Sequence, residues 1–491
     1  MKRWEHLAMI AHDMGIVFQY LGIITLLPLI VLAFYHEWNL LLPMGLVPVV
    51  YFILGKVIGR IPRSEHVPHL SVALVGVAIT WFVIAVIGTI PFVFGMHMSF
   101  TDSLFEAISG WTGTGLSMMR GLDTTPRTIL FWRSFTEWFG SIGVIAFGIA
   151  VQSKSGLAQI RLYRSEGRSE AIMPSIVSTA RRMWVIYVTL TVLFIGIIFA
   201  FTGVSLWDSV NLVMVAIATG GFTMYDAGIP HYNNVLLEAL LMPVMIAGAL
   251  PFKLYFLLYR GKILKVLKDS TVQVILLLGI IGSLFVSLEL YFFERFPLSM
   301  AIRQGFFCTI SGFTTTGLQN ADLHSWVPTA LIVVILLMMI GGASGSTAGG
   351  IKVNRAVLAY AGLVWWFKRY FVRGNVVVPF RYEGRVIPKK ISDLEISRNM
   401  LIVILYFLTI ALAAIVVLHF PIGSFAPTEV VFELVSAMSN VGLSTGFLSP
   451  ASPLLVKWIG ILLMWVGRLE IVPVLILIMS LAKGFEAEVV K

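Results

Sequence analysis

Four short tracts carry residues that could strip water from a metal ion. They are WTGTGLS at 111–117, ATGGFT at 218–223, FTTTGLQ at 313–319 and SNVGLS at 439–444, and each closes a semi-apolar segment. Their glycines Gly115, Gly221, Gly317 and Gly442 recur at intervals of roughly 95 to 125 residues, which fits four quasi-equivalent loops around one axis. A dehydrating cation needs oxygen ligands, and main-chain carbonyls can supply them where glycine accepts backbone angles that other residues resist. The ring is assigned to the carbonyls of Thr114 and Gly115, Gly220 and Gly221, Thr316 and Gly317, and Val441 and Gly442. No tract contains a carboxylate, whereas divalent-selective pores favour rings of Asp or Glu, so a monovalent cation fits better. One such tract alone would be read as a small-residue contact between membrane helices. Four in register favour a pore.

The elements that must hold these loops are membrane helices. The chain has 491 residues, of which 58% are hydrophobic and 12% charged, far below the roughly 25% charge of soluble domains. Ten apolar segments are expected to span, near 13–35, 41–60, 71–95, 127–151, 183–203, 233–257, 270–294, 327–369, 396–420 and 453–483. The net charge of +10 is spread by loop, which excludes a nucleic-acid patch and points to topology. Basic residues fill 154–182, 253–268 and 352–398, while 204–232 and 421–452 contain neither Lys nor Arg. By the positive-inside rule the basic connections and both termini face the cytoplasm, and the Gly-ended segments enter from outside. Short re-entrant helices are expected before the tracts, starting at Thr101 with Asp102 and Glu106, at Ser205 with Asp208, at Ser299, and at Pro427-Thr428 with Glu429 and Glu433. Hydroxyl caps and first-turn acids suit the positive helix end.

The expected fold is therefore an all-α integral membrane protein, in contact with membrane lipid, with four pseudo-repeated helix–pore loop–helix units around a central pore. The units are 63–160, 161–258, 259–375 and 376–491, and residues 1–62 form an extra N-terminal helix pair. Inside the third unit lies GGASGSTAGG at 341–350, and a regular helix through Gly341, Gly342, Gly345, Ser346, Thr347, Gly349 and Gly350 is poorly supported. A flexible gating loop beneath the filter is preferred there over a close-packing glycine patch. Arg468 stands mid-way along the last span, where lipid exposure is costly, so it is placed in the cavity near that loop as an electrostatic barrier. The alternative is an ion pair with another helix, with Glu137, Glu238 and Glu289 as partners. Glu470, two positions on, lies on nearly the opposite helix face. The single Cys308 excludes an internal disulfide, and no nucleophile or metal-spaced His/Asp constellation points to an enzyme. A secondary transporter of a small organic solute is the competing function, but its two inverted halves do not match four repeats of one orientation.

From about residue 70 to the end, the four tracts, the segment GSTAGGIK at 345–352 and GRLE at 467–470 together resemble the superfamily of potassium transporters that includes the bacterial Trk and Ktr membrane subunits and the plant HKT proteins. The additional pair before residue 62 is similar to the Trk branch. The resemblance implies K⁺ as the transported ion, with no organic cofactor on this chain, and a homodimer with one pore per protomer in the cell (inner) membrane. It also implies regulation by a cytosolic nucleotide-binding subunit of the TrkA type. In such proteins the loop matching 341–350 and the arginine matching Arg468 form the constriction. Glycine at all four filter positions accompanies K⁺ preference, whereas serine in the first repeat accompanies Na⁺ transport in some plant members.

Overall fold

In hydrocarbon, apolar runs of this length satisfy their backbone polar groups within a single helix. Helices account for 74% of the computed structural model, which describes residues 3–61, 70–143, 175–372, 378–382, 385–387 and 389–483. The chain starts with α1 (Arg3–Ile24), α2 (Leu27–Phe34) and α3 (Leu41–Gly59), in which α1 lies along α3 outside the repeated part. The first unit has α4 (Leu70–Gly88), the short α5 (Phe100–Thr112) and α6 (Arg127–Ile142). The second has α7 (Ile176–Thr202), the short α8 (Leu206–Ala218), α9 (Val235–Ala249), α10 (Phe252–Tyr259) and the single turn-and-a-half α11 (Ile263–Leu267). The third has α12 (Ser270–Phe292), the short α13 (Leu298–Phe313), α14 (Pro328–Ile340) and α15 (Val353–Tyr370). The fourth opens with a two-stranded antiparallel ribbon, β1 (Phe380–Tyr382) and β2 (Arg385–Ile387), with Phe380 opposite Ile387. It continues with α16 (Lys389–Val417), the short α17 (Pro427–Met438), α18 (Leu454–Leu469) and α19 (Val472–Lys483).

The expected ten spans resolve into a different set. Among the described residues six stretches are long and apolar enough to cross a membrane, and two further helix pairs qualify only as bent spans. The sequence suggested an interruption in the third unit alone, yet the returning helix of every unit stops early. α6 ends at Gly143 (φ 97°), α9 turns into α10 by 101°, α14 gives way to a loop, and α18 turns into α19 by 110°. Thirteen residues of α14 rise only about 20 Å, short of the roughly 30 Å hydrocarbon core. Two of the breaks have visible causes: Pro251 has no N–H to continue α9, and Glu470 and Ile471 both adopt left-handed backbone (φ 63° and 65°).

The broken helices set the circular order. Each short helix packs on the returning helix of its own unit or on a neighbour's, and the neighbour contacts run α5 on α18, α8 on α6, α13 on α9 and α17 on α14. Every unit therefore leans on the preceding one, and the fourth closes on the first. The last two turns of α5, α8 and α17 are wholly buried. Large apolar side chains such as Val192, Leu277, Leu288, Ile404 and Leu412 stand exposed on the long outer helices, where lipid is their solvent.

Candidate ion-conducting site

The four short helices aim the tracts. Ser99 caps α5 and Ser205 caps α8, each accepting the N–H of the Asp three positions on (3.2 and 3.1 Å) and donating to its carboxylate (2.8 and 2.6 Å). The first cap is thus Ser99 instead of Thr101. α13 starts at Leu298 behind Pro297 with no side-chain cap, not at Ser299, and α17 starts at Pro427 as expected, behind Ala426, whose N–H donates to Glu429 Oε2 at 2.6 Å. Asp208 also accepts from the loop hydroxyls of Tyr225 (3.3 Å) and Tyr232 (3.1 Å). Burial first, and then the Asp208 charge, raise the Tyr232 hydroxyl above its ordinary range, so it stays a neutral donor.

At the end of each short helix the backbone alternates in hand. Gly113, Thr219, Thr315 and Asn440 have φ of 66°, 53°, 58° and 52°, and two residues on Gly115, Gly221, Gly317 and Gly442 have φ of 89°, 109°, 79° and 98°. The intervening residue returns its N–H to the helix five positions back. Thr114 donates to Ser109 O (2.8 Å), Gly220 to Val215 O (2.9 Å), Thr316 to Ser311 O (2.8 Å) and Val441 to Ser436 O (2.9 Å). Residues of opposite hand turn successive N–H groups to one side, which leaves the carbonyls on the other. Those of Thr114, Gly115, Gly220, Gly221, Thr316, Gly317, Val441 and Gly442 accept no hydrogen bond from the described residues.

The glycines also report how closely the tracts meet. A Cβ built on Gly115 would lie 2.7 Å from Gly221 Cα, one on Gly221 3.2 Å from Gly317 Cα, one on Gly317 2.8 Å from Gly442 Cα, and one on Gly442 3.2 Å from Gly115 Cα. Each would also strike the carbonyl just before the neighbouring glycine: Gly220, Thr316, Val441 and Thr114 in turn. Four strands of chain therefore form one closed ring, with eight carbonyls around it. A buried carbonyl left unpartnered costs about 1–3 kcal/mol. Eight would cost on the order of 10 kcal/mol, comparable to the whole net stability of a domain, so such a ring requires water or a cation on its axis.

Buried polar side chains hold the ring from behind. Glu106, expected as a first-turn acid, sits in mid-helix and reaches past the end of α5 to accept from Met118 N (2.8 Å), Ser117 Oγ (3.0 Å) and Arg133 Nε (2.8 Å). Glu433 does the same in the fourth unit, accepting from Ser444 Oγ (2.6 Å), Thr445 N (2.8 Å) and Gly446 N (3.0 Å). Arg133, 1% exposed, links the first two tracts by also donating to Thr223 O at 2.7 Å. Glu137 accepts from Phe222 N (3.2 Å), and Asn440 Nδ2 donates to Thr114 Oγ1 (2.9 Å), joining the fourth tract to the first. Arg133 and Asn440 were missed in the sequence. The legible signal for the two glutamates was their position, nine residues before Gly115 and Gly442 within apolar segments. On the side of the ring away from the short helices' ends, a recess of about 290 Å³ is lined by Gly115, Ser117, Arg120, Gly221, Thr223 and Asp226.

At the helix-end side of the ring, residues 341–352 run as irregular chain. The segment is heavily anchored. Ala343 N donates to Ala249 O (3.0 Å), Thr347 Oγ1 to Gly248 O (2.9 Å) and Ile217 O (3.1 Å), Gly349 N to Thr315 Oγ1 (2.7 Å), and Gly350 N to Ser439 O (3.0 Å). Gly341, Gly345 and Gly350 have φ of 68°, 76° and 77°, while Gly342 lies against Ala249, and Ser346 Oγ donates back to Ala343 O (2.7 Å). The free carbonyls of broken α9 are thereby satisfied by the loop, as irregular backbone at membrane depth demands. Arg468 lies in the last turn of α18, at the bend that joins it to α19 and so mid-way along that bent span. Its Nη2 donates to Gly140 O (2.7 Å) and Ser141 O (2.6 Å), carbonyls at the negative end of broken α6, and its Nη1 makes a long 3.5 Å contact with Thr347 O of the loop. The three glutamates weighed as its partners are engaged elsewhere: Glu137 with Phe222 N, Glu238 with Arg303, and Glu289 with Thr329. Glu470 pairs with Arg355 of α15.

The sequence model of the family described as TrkH, cation transport protein, matches residues 49–485. An uncharacterised cation transporter of Methanocaldococcus jannaschii is 30% identical over 476 residues, covering 96% of this chain and 95% of its own. The Trk system potassium uptake protein TrkH of Escherichia coli K12 is 30% identical over 415 residues, covering 82% and 83%. In three dimensions the chain superimposes on the crystal structure of the potassium transporter TrkH from Vibrio parahaemolyticus with a TM-score of 0.83 at 25% identity, over 96% of this chain and 98% of that one. The shared helical plan and these matches, spanning most of each chain, are those of a transporter and not an enzyme: the chain belongs to the TrkH family of cation transport proteins.

Proposed function

We propose that this protein takes up K⁺ across the cell membrane through the ring formed by the carbonyls of Thr114, Gly115, Gly220, Gly221, Thr316, Gly317, Val441 and Gly442. The observation that carries the reading is the closed circle of four glycines with eight carbonyls that the described residues leave unpartnered. Carbonyl oxygens replace the hydration shell of a weakly hydrated monovalent ion, and their number and spacing decide which ion loses least on entering. Potassium uptake is the activity named for the Escherichia coli relative, and the absence of carboxylates in the tracts agrees with it.

Conduction is controlled by residues 341–350 with Arg468. Gly341, Gly342, Gly345, Ser346, Thr347, Gly349 and Gly350 give a segment with enough backbone freedom to rearrange, and the guanidinium places a fixed positive charge beside it. Release of the Arg468 bonds to Gly140 O and Ser141 O would free the segment. A homodimer with one pore per protomer, and a cytosolic nucleotide-binding subunit of the TrkA type acting on the basic inner connections, complete the proposal. The test is cation flux into vesicles holding the purified protein, with and without that subunit, comparing K⁺, Rb⁺ and Na⁺ with a panel of organic solutes. Saturable K⁺ and Rb⁺ flux exceeding Na⁺ is expected. In Gly115→Ser the added Cβ would press on the second tract, and K⁺ over Na⁺ discrimination should fall by about tenfold, ~1.4 kcal/mol. Unchanged selectivity in that variant would remove the filter assignment.

A further inference from the structure

Away from the ring, the first turns of α7 and the end of α10 form an open cavity of about 420 Å³ whose accessible wall is mainly apolar and whose rim carries three arginines. Arg181, Arg182 and Arg260 surround it with Ser178, above the rings of Phe256 and Tyr259, and no acidic side chain lines it among the described residues. The guanidinium of Arg182 lies 4.9 Å from the Tyr259 centroid and 5.5 Å from that of Phe256, while Arg260 lies 4.4 Å from the same Phe256 ring. Two guanidinium groups near one ring repel each other, and an anion bound by both would relieve that repulsion. The stacking also fixes both planar forks, which is the geometry suited to a phosphate.

What surrounds the cavity identifies the kind of anion. Val185 on its wall is 55% exposed, and the exposed surface continues along α7 through Val188 and Val192, so an apolar path leads from the basic rim onto the membrane-facing side of the helix. On the other side α11 carries Ile263, Leu264 and Leu267, all more than half exposed, between Lys262, Lys265 and Lys268. Exposed leucines alternating with lysines on a short helix are the pattern of a segment lying in a lipid headgroup layer. The cavity sits at the end of α7 opposite Gly203, hence on the membrane face remote from the start of α8 and from the recess beside the ring. A free phosphate or nucleotide would use the arginines and leave the apolar wall unexplained.

We infer that this cavity binds the phosphate headgroup of an anionic phospholipid, with one acyl chain laid along Val185 and Val188 of α7. The inference concerns binding and stands or falls independently of conduction. It is tested on the full-length protein in nanodiscs and detergent, using phosphatidylglycerol as the probe, phosphatidylcholine as the neutral lipid and inorganic phosphate as the soluble anion. Native mass spectrometry should show phosphatidylglycerol retained at least fivefold over phosphatidylcholine at physiological salt, and added phosphatidylglycerol should raise the unfolding temperature where inorganic phosphate does not. The double variant Arg182→Gln/Arg260→Gln should lose that preference, and Arg182→Lys/Arg260→Lys should keep part of it. Equal retention of both lipids by the unaltered protein would overturn the inference even if the glutamine variant fails to fold. Protection by inorganic phosphate equal to that by the lipid would overturn it as well, making the site one for a soluble anion.

Discussion

At the scale of single residues, the same physical demand is met by different chemistry in each unit. Every tract needs a left-handed residue two positions before its glycine, and Gly113, Thr219, Thr315 and Asn440 fill that position. Only the glycine that follows is uniform, because each of the four faces a neighbouring carbonyl with no room for a Cβ. Arg468 makes two charge-assisted hydrogen bonds to carbonyls at the broken end of α6, each worth about 1.5–3 kcal/mol. If those bonds hold a closed state, Arg468→Ala should raise basal Rb⁺ flux roughly tenfold or more. Unchanged basal flux in a variant that retains its unfolding temperature would contradict the gating role. Arg133 and Glu106 form a buried ion pair of 1% and 0% exposure, and removal of one partner from such a pair costs about 3–5 kcal/mol. Glu106→Leu and Arg133→Met should each lower thermal stability sharply, while the double variant should be less unstable than the sum by about 2 kcal/mol. Strictly additive losses would show that the pair does not act as a unit.

At the scale of elements, the positions of the short helices and the glycines were legible because they repeat, and repetition survives the loss of any one signal. The starts of those helices were less so. Thr101 and Ser299 look as plausible as caps as Ser99, and α13 starts behind Pro297 with no side-chain cap at all. The four breaks in the returning helices were mostly illegible, since α6, α9 and α18 run into apolar sequence and hydropathy does not register a change of direction. Local causes act at Pro251 and at Glu470 and Ile471, but the support is tertiary: the ends of α6 and α9 are tolerated because Arg468 and residues 343–347 satisfy their carbonyls. For the same reason the glycine-rich segment, expected to be flexible from composition, is tied to the second, third and fourth units. Thr347 is the centre of that web, so Thr347→Val, which keeps the shape and removes the hydroxyl bonds to Ile217 O and Gly248 O, should increase amide exchange across residues 341–352. Exchange unchanged in that segment would mean that its anchoring lies elsewhere.

At the scale of the whole molecule, four units share one orientation and lean on one another in a circle, with α1 to α3 outside it. From the charge asymmetry of the loops we propose that the tract mouths open to the outside. The native Cys308 is fully buried, so a cysteine introduced by Asn233→Cys in the outer loop gives a clean report of sidedness. A membrane-impermeant maleimide should label it in intact cells without permeabilisation; labelling only after permeabilisation would invert the topology. The central claim is that main-chain oxygens from four separate segments strip and hold a single monovalent cation. Its most direct test is anomalous X-ray scattering from crystals grown in Rb⁺. The account predicts a rubidium peak on the ring axis at coordination distance from carbonyls of Thr114, Gly220, Thr316 and Val441 or of the glycines that follow them. A protein that transports Rb⁺ but shows its bound ion only elsewhere, with that axis free of rubidium, would contradict it.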